Sequence, residues 1–130
     1  MAAAADLTIL VVEDDETLSL LLGDRLEAEG FNVLRANDGE QGLEMALANK
    51  PNLILLDIVM PNMNGITVLE KLRQDPEGKD LPVIMLTNLG NDIEKVSQAT
   101  ELGVQEYLVK SNMNLDEVVE RVKSKLAVDA

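Results

Sequence analysis

Five short apolar runs recur along the 130 residues, at 7–12 (LTILVV), 31–34 (FNVL), 53–56 (LILL), 83–86 (VIML) and 107–109 (YLV). The first, third and fourth are nearly continuous in apolar character, as central parallel strands covered on both faces must be. The second and fifth are shorter and more mixed, so they read as edge strands. Segments of helical periodicity lie between them. Residues 16–29 carry Leu18, Leu21, Leu22 and Leu26, and Gly30 follows as a stop. Asp38, with Gln41 after it, opens a second helix whose inner stripe is Leu43, Ala46 and Leu47. Ile66, Leu69 and Leu72 mark a third, ended near Asp75-Pro76. Asn91 with Glu94 opens a fourth that Gly103 closes. Asn114 with Glu117 opens a fifth, striped by Leu115, Val118, Val119, Val122 and Leu126, with Arg121, Lys123 and Lys125 towards its C-terminal end. Strand–helix alternation of this kind predicts an α/β fold, (βα)5, with a parallel sheet and right-handed crossovers. No linker, repeat or low-complexity segment interrupts it, so residues 1–130 are expected to form a single domain.

Composition narrows the chemistry. Phe31 and Tyr107 are the only aromatic residues, so the core is aliphatic. Without cysteine there is no disulfide, thiolate metal site or thiol nucleophile. Without histidine there is no Ser–His triad and no imidazole ligand. A net charge of −13 disfavours direct contact with nucleic acid and favours a divalent cation or a basic partner surface. No apolar run approaches the roughly 18 residues of a membrane span. The opening MAAAAD lacks the basic and long apolar parts of a signal peptide. The expected location is the cytoplasm, with no membrane partner.

Ligands of open parallel sheets sit beyond the carboxyl ends of the strands. There the sequence places Glu13, Asp14 and Asp15 after the first strand, Asp57 at the end of the third, Thr87 and Asn88 after the fourth, and Lys110 after the fifth. Each has an ordinary alternative: a helix cap for the acids, a turn hydroxyl for Thr87, a solvated charge for Lys110, a loop-opening residue for Asp57. Asp57, however, sits inside LILLDIVMP, where burial of a carboxylate is costly unless something compensates it. If strands one, three, four and five are neighbours, these side chains converge on one crevice. Clustered carboxylates repel, and a small hard cation with oxygen ligands, Mg²⁺, relieves that. A carboxylate left at the site can attack a phosphoryl group and form an aspartyl-phosphate. Lys110, Thr87 and the metal would then neutralise the phosphoryl oxygens.

With these residues in place the chain resembles the receiver domains of two-component response regulators, over residues 8–127. The motifs are Val12-Glu13-Asp14-Asp15, Asp57-x-x-Met60-Pro61-x-x-x-Gly65, Leu86-Thr87 and Tyr107-x-x-Lys110. The resemblance implies a flavodoxin-like doubly wound sheet in the order 2-1-3-4-5. It also implies that Asp57 is the phosphoacceptor. Asp14 contacts Mg²⁺ (or Mn²⁺) directly, Glu13 often through water, and the Val59 backbone carbonyl is a further metal ligand. Thr87 and Tyr107 are the switch pair, and Lys110 grips a phosphoryl oxygen. A histidine kinase or phosphotransfer protein donates the phosphoryl group. An output protein reads the face formed by the fourth helix, fifth strand and fifth helix. Asp15 reads as a helix cap.

Two departures stand out. Lys110-Ser111 replaces the family's usual Lys-Pro with its cis bond, so a trans bond and a rearranged loop at 111–114 are expected, because a non-proline cis bond costs about 3 kcal/mol. Val59 and Leu89 occupy two positions that in this family tune phosphate lifetime, and both are apolar. Neither can position an attacking water, so slow self-dephosphorylation is expected. As the chain ends after the fifth helix, it reads as a stand-alone regulator or a piece of a longer one. The competing readings are a pseudo-receiver that binds partners without phosphorylation, a haloacid-dehalogenase-type phosphatase and a flavodoxin. The phosphatase needs a second acid where Val59 stands and a lid domain. The flavodoxin is opposed by an acidic first loop that repels phosphate.

Overall fold

The computed structural model describes residues 3–88, 93–104 and 106–128. The element order is β1 (Thr8–Val12), α1 (Glu16–Ala28), β2 (Asn32–Ala36), α2 (Gly39–Asn49), β3 (Leu53–Asp57), α3 (Gly65–Gln74), β4 (Val83–Thr87), α4 (Ile93–Glu101), β5 (Glu106–Val109) and α5 (Leu115–Leu126). A 3₁₀ turn at Ala4–Asp6, which the sequence pattern had not signalled, precedes β1. The strands form one parallel sheet in the order β2-β1-β3-β4-β5, as expected, with β2 and β5 at the edges.

Pleating sends alternate side chains to opposite faces, so the sheet builds two cores. Leu10, Val12, Ile54, Leu56, Val83 and Met85 face α2, α3 and α4. Ile9, Val11, Leu53, Leu55, Ile84 and Leu86 face α1 and α5. The central strands β3 and β4 are buried at every residue, whereas β2 carries exposed and half-buried positions.

Caps fix where the helices begin. The side chains of Asp15, Asp38, Asn64 and Asn114 accept the orphan amides of Leu18, Gln41, Thr67 and Glu117. Asn91, expected to open α4, lies outside the described residues, as does Leu89. Gly30 and Gly103 end α1 and α4 at φ 99° and 91°, backbone that side-chain-bearing residues avoid. Asp15, Asp38 and Asn114 thus act as expected. The C-terminal cations of α5 are more specific than a dipole argument suggests: Lys123 pairs at 2.7 Å with Glu29, the residue that caps the end of α1, and Arg121 with Glu117 at 3.3 Å.

Candidate functional site at the carboxyl edge of the sheet

Sheet register brings the site together. Val12 pairs with Leu56, Asp57 with Leu86 and Thr87 with Val109, so the chain leaves all four strands at one level. Glu13, the first residue past β1, therefore stands beside Asp57, the last of β3. Both are buried, at 0% and 3% exposure, while Asp14 faces solvent. Ligand oxygens of Glu13, Asp14 and Asp57 all lie within 4.8 Å of one another.

The Glu13 side chain is held from two directions. Its Oε2 accepts the Asp15 amide at 3.1 Å, which links the acidic loop to the first turn of α1. Its Oε1 lies 2.9 Å from Lys110 Nζ, close enough for an ion pair, yet it is buried and accepts no hydrogen bond. Lys110 Nζ donates to Asp57 Oδ2 at 3.1 Å. A single ammonium thus serves two buried carboxylates, while Asp14 adds a third acid without a described partner cation. Desolvation drives the electrostatics. Burial pushes the Glu13 carboxyl up to about 7, and the adjacent Asp57 carboxylate adds to the rise against the pull of Lys110. Burial likewise raises Asp57, against the opposing influence of its Glu13 and Lys110 neighbours. Burial alone would lower the Lys110 ammonium's pKa, but its two carboxylate partners more than offset this and raise it. Three carboxylates whose oxygens lie this close, two of them buried, form an oxygen donor set that suits a hard divalent cation.

The loop after Asp57 is shaped by close backbone approach. The Gly65 amide donates to the Ile58 carbonyl at 2.7 Å, and a Cβ on Gly65 would lie 2.2 Å from the Asp57 carbonyl oxygen. Only glycine lets α3 start this near the acidic residue. Asn62 adopts φ 68° and donates to Asp38 Oδ2, tying the loop to the start of α2. Gly39 is equally constrained, since a Cβ there would lie 1.8 Å from the Met63 carbonyl oxygen. The side chain of Val59 is 52% exposed, two residues beyond Asp57.

Thr87 ends β4 fully buried. Tyr107 lies on β5 against Met85 and shares the α3–α4 face of the sheet with Thr87. Its hydroxyl donates towards the Val96 and Val104 carbonyls at 3.1 and 3.2 Å and meets the Thr100 hydroxyl. The Lys110–Ser111 bond is trans. In place of the family's usual continuation, Lys110–Asn112 form a 3₁₀ turn closed by the Met113 amide on the Lys110 carbonyl. Lys110 nonetheless reaches both carboxylates. Asn62, Gly39 and Thr100 escaped the sequence reading because each matters only through a partner distant in the chain, and no local pattern marks such a pairing.

Residues 9–123 match the response regulator receiver domain family. Among curated relatives, the transcriptional regulatory protein CpxR of Escherichia coli is 46% identical over 116 residues, 89% of this chain and 47% of its own length. RpaA of Synechocystis, described as a DNA-binding dual master transcriptional regulator, is 38% identical over 118 residues, 91% of this chain and 48% of its own. The chain thus spans about half the length of these relatives. Chemotaxis protein CheY4 of Vibrio cholerae superposes with a TM-score of 0.83 at 26% identity, covering 96% of this chain and all of that one. The receiver domain of the sensor kinase PA1611 of Pseudomonas aeruginosa, solved with magnesium in its active-site cleft, gives 0.83 at 25% identity over 97% and 99% of the two chains. Sheet order, acidic cluster and family match agree, and this chain belongs to the response regulator receiver domains, the phosphorylation-dependent switches of two-component signalling.

Proposed function

We propose that Asp57 accepts a phosphoryl group from a phosphohistidine of a histidine kinase or phosphotransfer protein. An Asp57 Oδ atom attacks phosphorus, the P–N bond breaks, and its electron pair leaves with the imidazole of the donor. The observation that carries this reading is the Lys110 ammonium, aligned on Asp57 Oδ2 and Glu13 at the carboxyl edge of the sheet. That cation is where the charge of an incoming phosphoryl oxygen must be met. Glu13, Asp14, Asp57 and the Val59 carbonyl would hold Mg²⁺, with Mn²⁺ a chemically similar substitute, and the ion would supply charge neutralisation. Thr87 and Tyr107 would form the switch, and the face built by α4, β5 and α5 would be read by an output protein. The role is regulatory rather than enzymatic.

The DNA binding named for RpaA belongs to a protein about twice as long. For residues 1–130, a net charge of −13 supports a region that does not itself contact DNA, and a cytoplasmic setting suits a kinase partner. Among the described residues, no helix is long and apolar enough to cross a membrane.

The test is intact mass after incubation with a small phosphodonor and Mg²⁺, for the wild type and Asp57→Asn. The wild type should gain one phosphoryl group and the variant none. Equal gain, or none in either, overturns the proposal.

A further inference from the structure

Tyr107 OH is surrounded by the oxygens of Val96, Val104 and Thr100, all contributed by α4 and the turn that follows it. A phenol has one proton and needs a donor to satisfy its own oxygen. Val96 and Val104 offer carbonyls, which only accept. Thr100 Oγ1 is therefore the one group of the three that can donate into the phenol and leave the phenolic proton for a carbonyl. Thr100 also reaches the Val96 carbonyl at 2.9 Å, so its hydroxyl can serve either oxygen as the tyrosine moves. Without that hydroxyl, the phenol's remaining partners among the described residues would be acceptors alone.

Among the described residues, α4 has few other fixings. Of its described side chains only Ala99 is fully buried, and Val96 packs half-buried against the core. An element so lightly anchored is drawn from the low-stability end of a fold, where one or two hydrogen bonds decide its position. Lys110 is bonded to the carboxylate of Asp57 itself, so this arrangement is that of the unmodified aspartate. In it, Tyr107 is fastened to α4.

We propose that the Thr100 hydroxyl is a latch that holds Tyr107 against α4 and thereby sets how readily the domain switches. The latch rests on the reading of Asp57 as phosphoacceptor and Tyr107 as switch residue. Thr100 touches no reacting atom and is a positioning residue. Loss of its hydroxyl removes the contact with Tyr107 from the resting arrangement alone, while the bond to the Val96 carbonyl is lost from both, so a phosphoryl analogue should bind more tightly.

The chain suits a direct test, because it has one tyrosine and no tryptophan, and its ultraviolet emission reports Tyr107. Beryllofluoride with Mg²⁺ is titrated into the wild type, Thr100→Val and Thr100→Ser, with tyrosine emission and metal-dependent melting as readouts. Position 100 is exposed, so the variants should fold. Loss of a net hydrogen bond predicts about five- to tenfold tighter binding for Thr100→Val. Thr100→Ser, which keeps the hydroxyl, should stay within about twofold of wild type if the latch acts through that group. If the wild type binds beryllofluoride and Thr100→Val binds equally or more weakly, the latch is overturned and the phosphoacceptor reading stands. If Thr100→Ser shifts as far as Thr100→Val, the effect is not the hydroxyl's and the latch is again overturned. If the wild type binds no beryllofluoride at all, the phosphoacceptor reading falls and the latch with it.

Discussion

Glu13 Oε1 stands 2.9 Å from Lys110 Nζ, buried and without a hydrogen bond. The same ammonium bonds Asp57 at 3.1 Å, so one cation bridges two desolvated acids. Removing it leaves like charges facing each other in a poorly solvated site. Lys110→Met should lower metal-free stability by about 1–3 kcal/mol at neutral pH and be partly rescued by millimolar Mg²⁺. Urea unfolding with and without Mg²⁺ checks this, and an unchanged midpoint would remove the ion pair from the account.

The raised carboxyl of Glu13 gives the site a pH signature. Its folded pKa of about 7 lies above the ordinary 4.5, so the folded state binds its proton more tightly than the unfolded chain does. This contribution to metal-free stability is fully present below 4.5 and is lost as pH rises through about 7. Asp57 is shifted in the same direction and adds with the same sign. A cation must displace these protons, so Mg²⁺ affinity should rise with pH across this window, by at most about tenfold per unit for each proton released. Mg²⁺ titrations at pH 6 and 8 measure it. Affinity independent of pH would mean the carboxyls are already ionised at pH 6.

Gly65 leaves no room for a side chain against the Asp57 carbonyl. Gly65→Ala should lower stability by about 2–3 kcal/mol through a forced backbone shift. It should also slow phosphorylation, because the displaced backbone is that of the acceptor itself. Denaturant midpoints and the rate of mass gain report the two effects separately.

The exposed, apolar Val59 offers no group to orient water near Asp57. The purified phosphoprotein should therefore keep its phosphoryl group for minutes or longer, and Val59→Asn should shorten that lifetime severalfold. Mass-resolved decay after removal of the donor measures both. A wild-type lifetime of seconds would sink the prediction.

Much of this molecule was written locally. The runs around Leu10, Leu55 and Met85 are apolar on both faces, which requires a sheet covered on two sides. Asp15, Asp38 and Asn114 announce their helices through caps that need only the next few residues. Glu13, Asp57, Thr87 and Lys110 were legible because strand ends in a parallel sheet fall at one level, whatever the loops do. Strand order is different in kind: it entered through resemblance, and only the assembled sheet, with β1 between β2 and β3, placed Glu13 beside Asp57. The sequence offered Lys110-Ser111 as a departure, and the fold decided that a 3₁₀ turn still delivers the ammonium to both carboxylates. The near-neutral carboxyl of Glu13, the demand for glycine at position 65 and the meeting of Thr100 with Tyr107 had no local signature. Periodicity and caps act over a few residues and so survive in a string of letters. Desolvation, close approach and a shared hydroxyl arise only when distant segments occupy the same few ångströms.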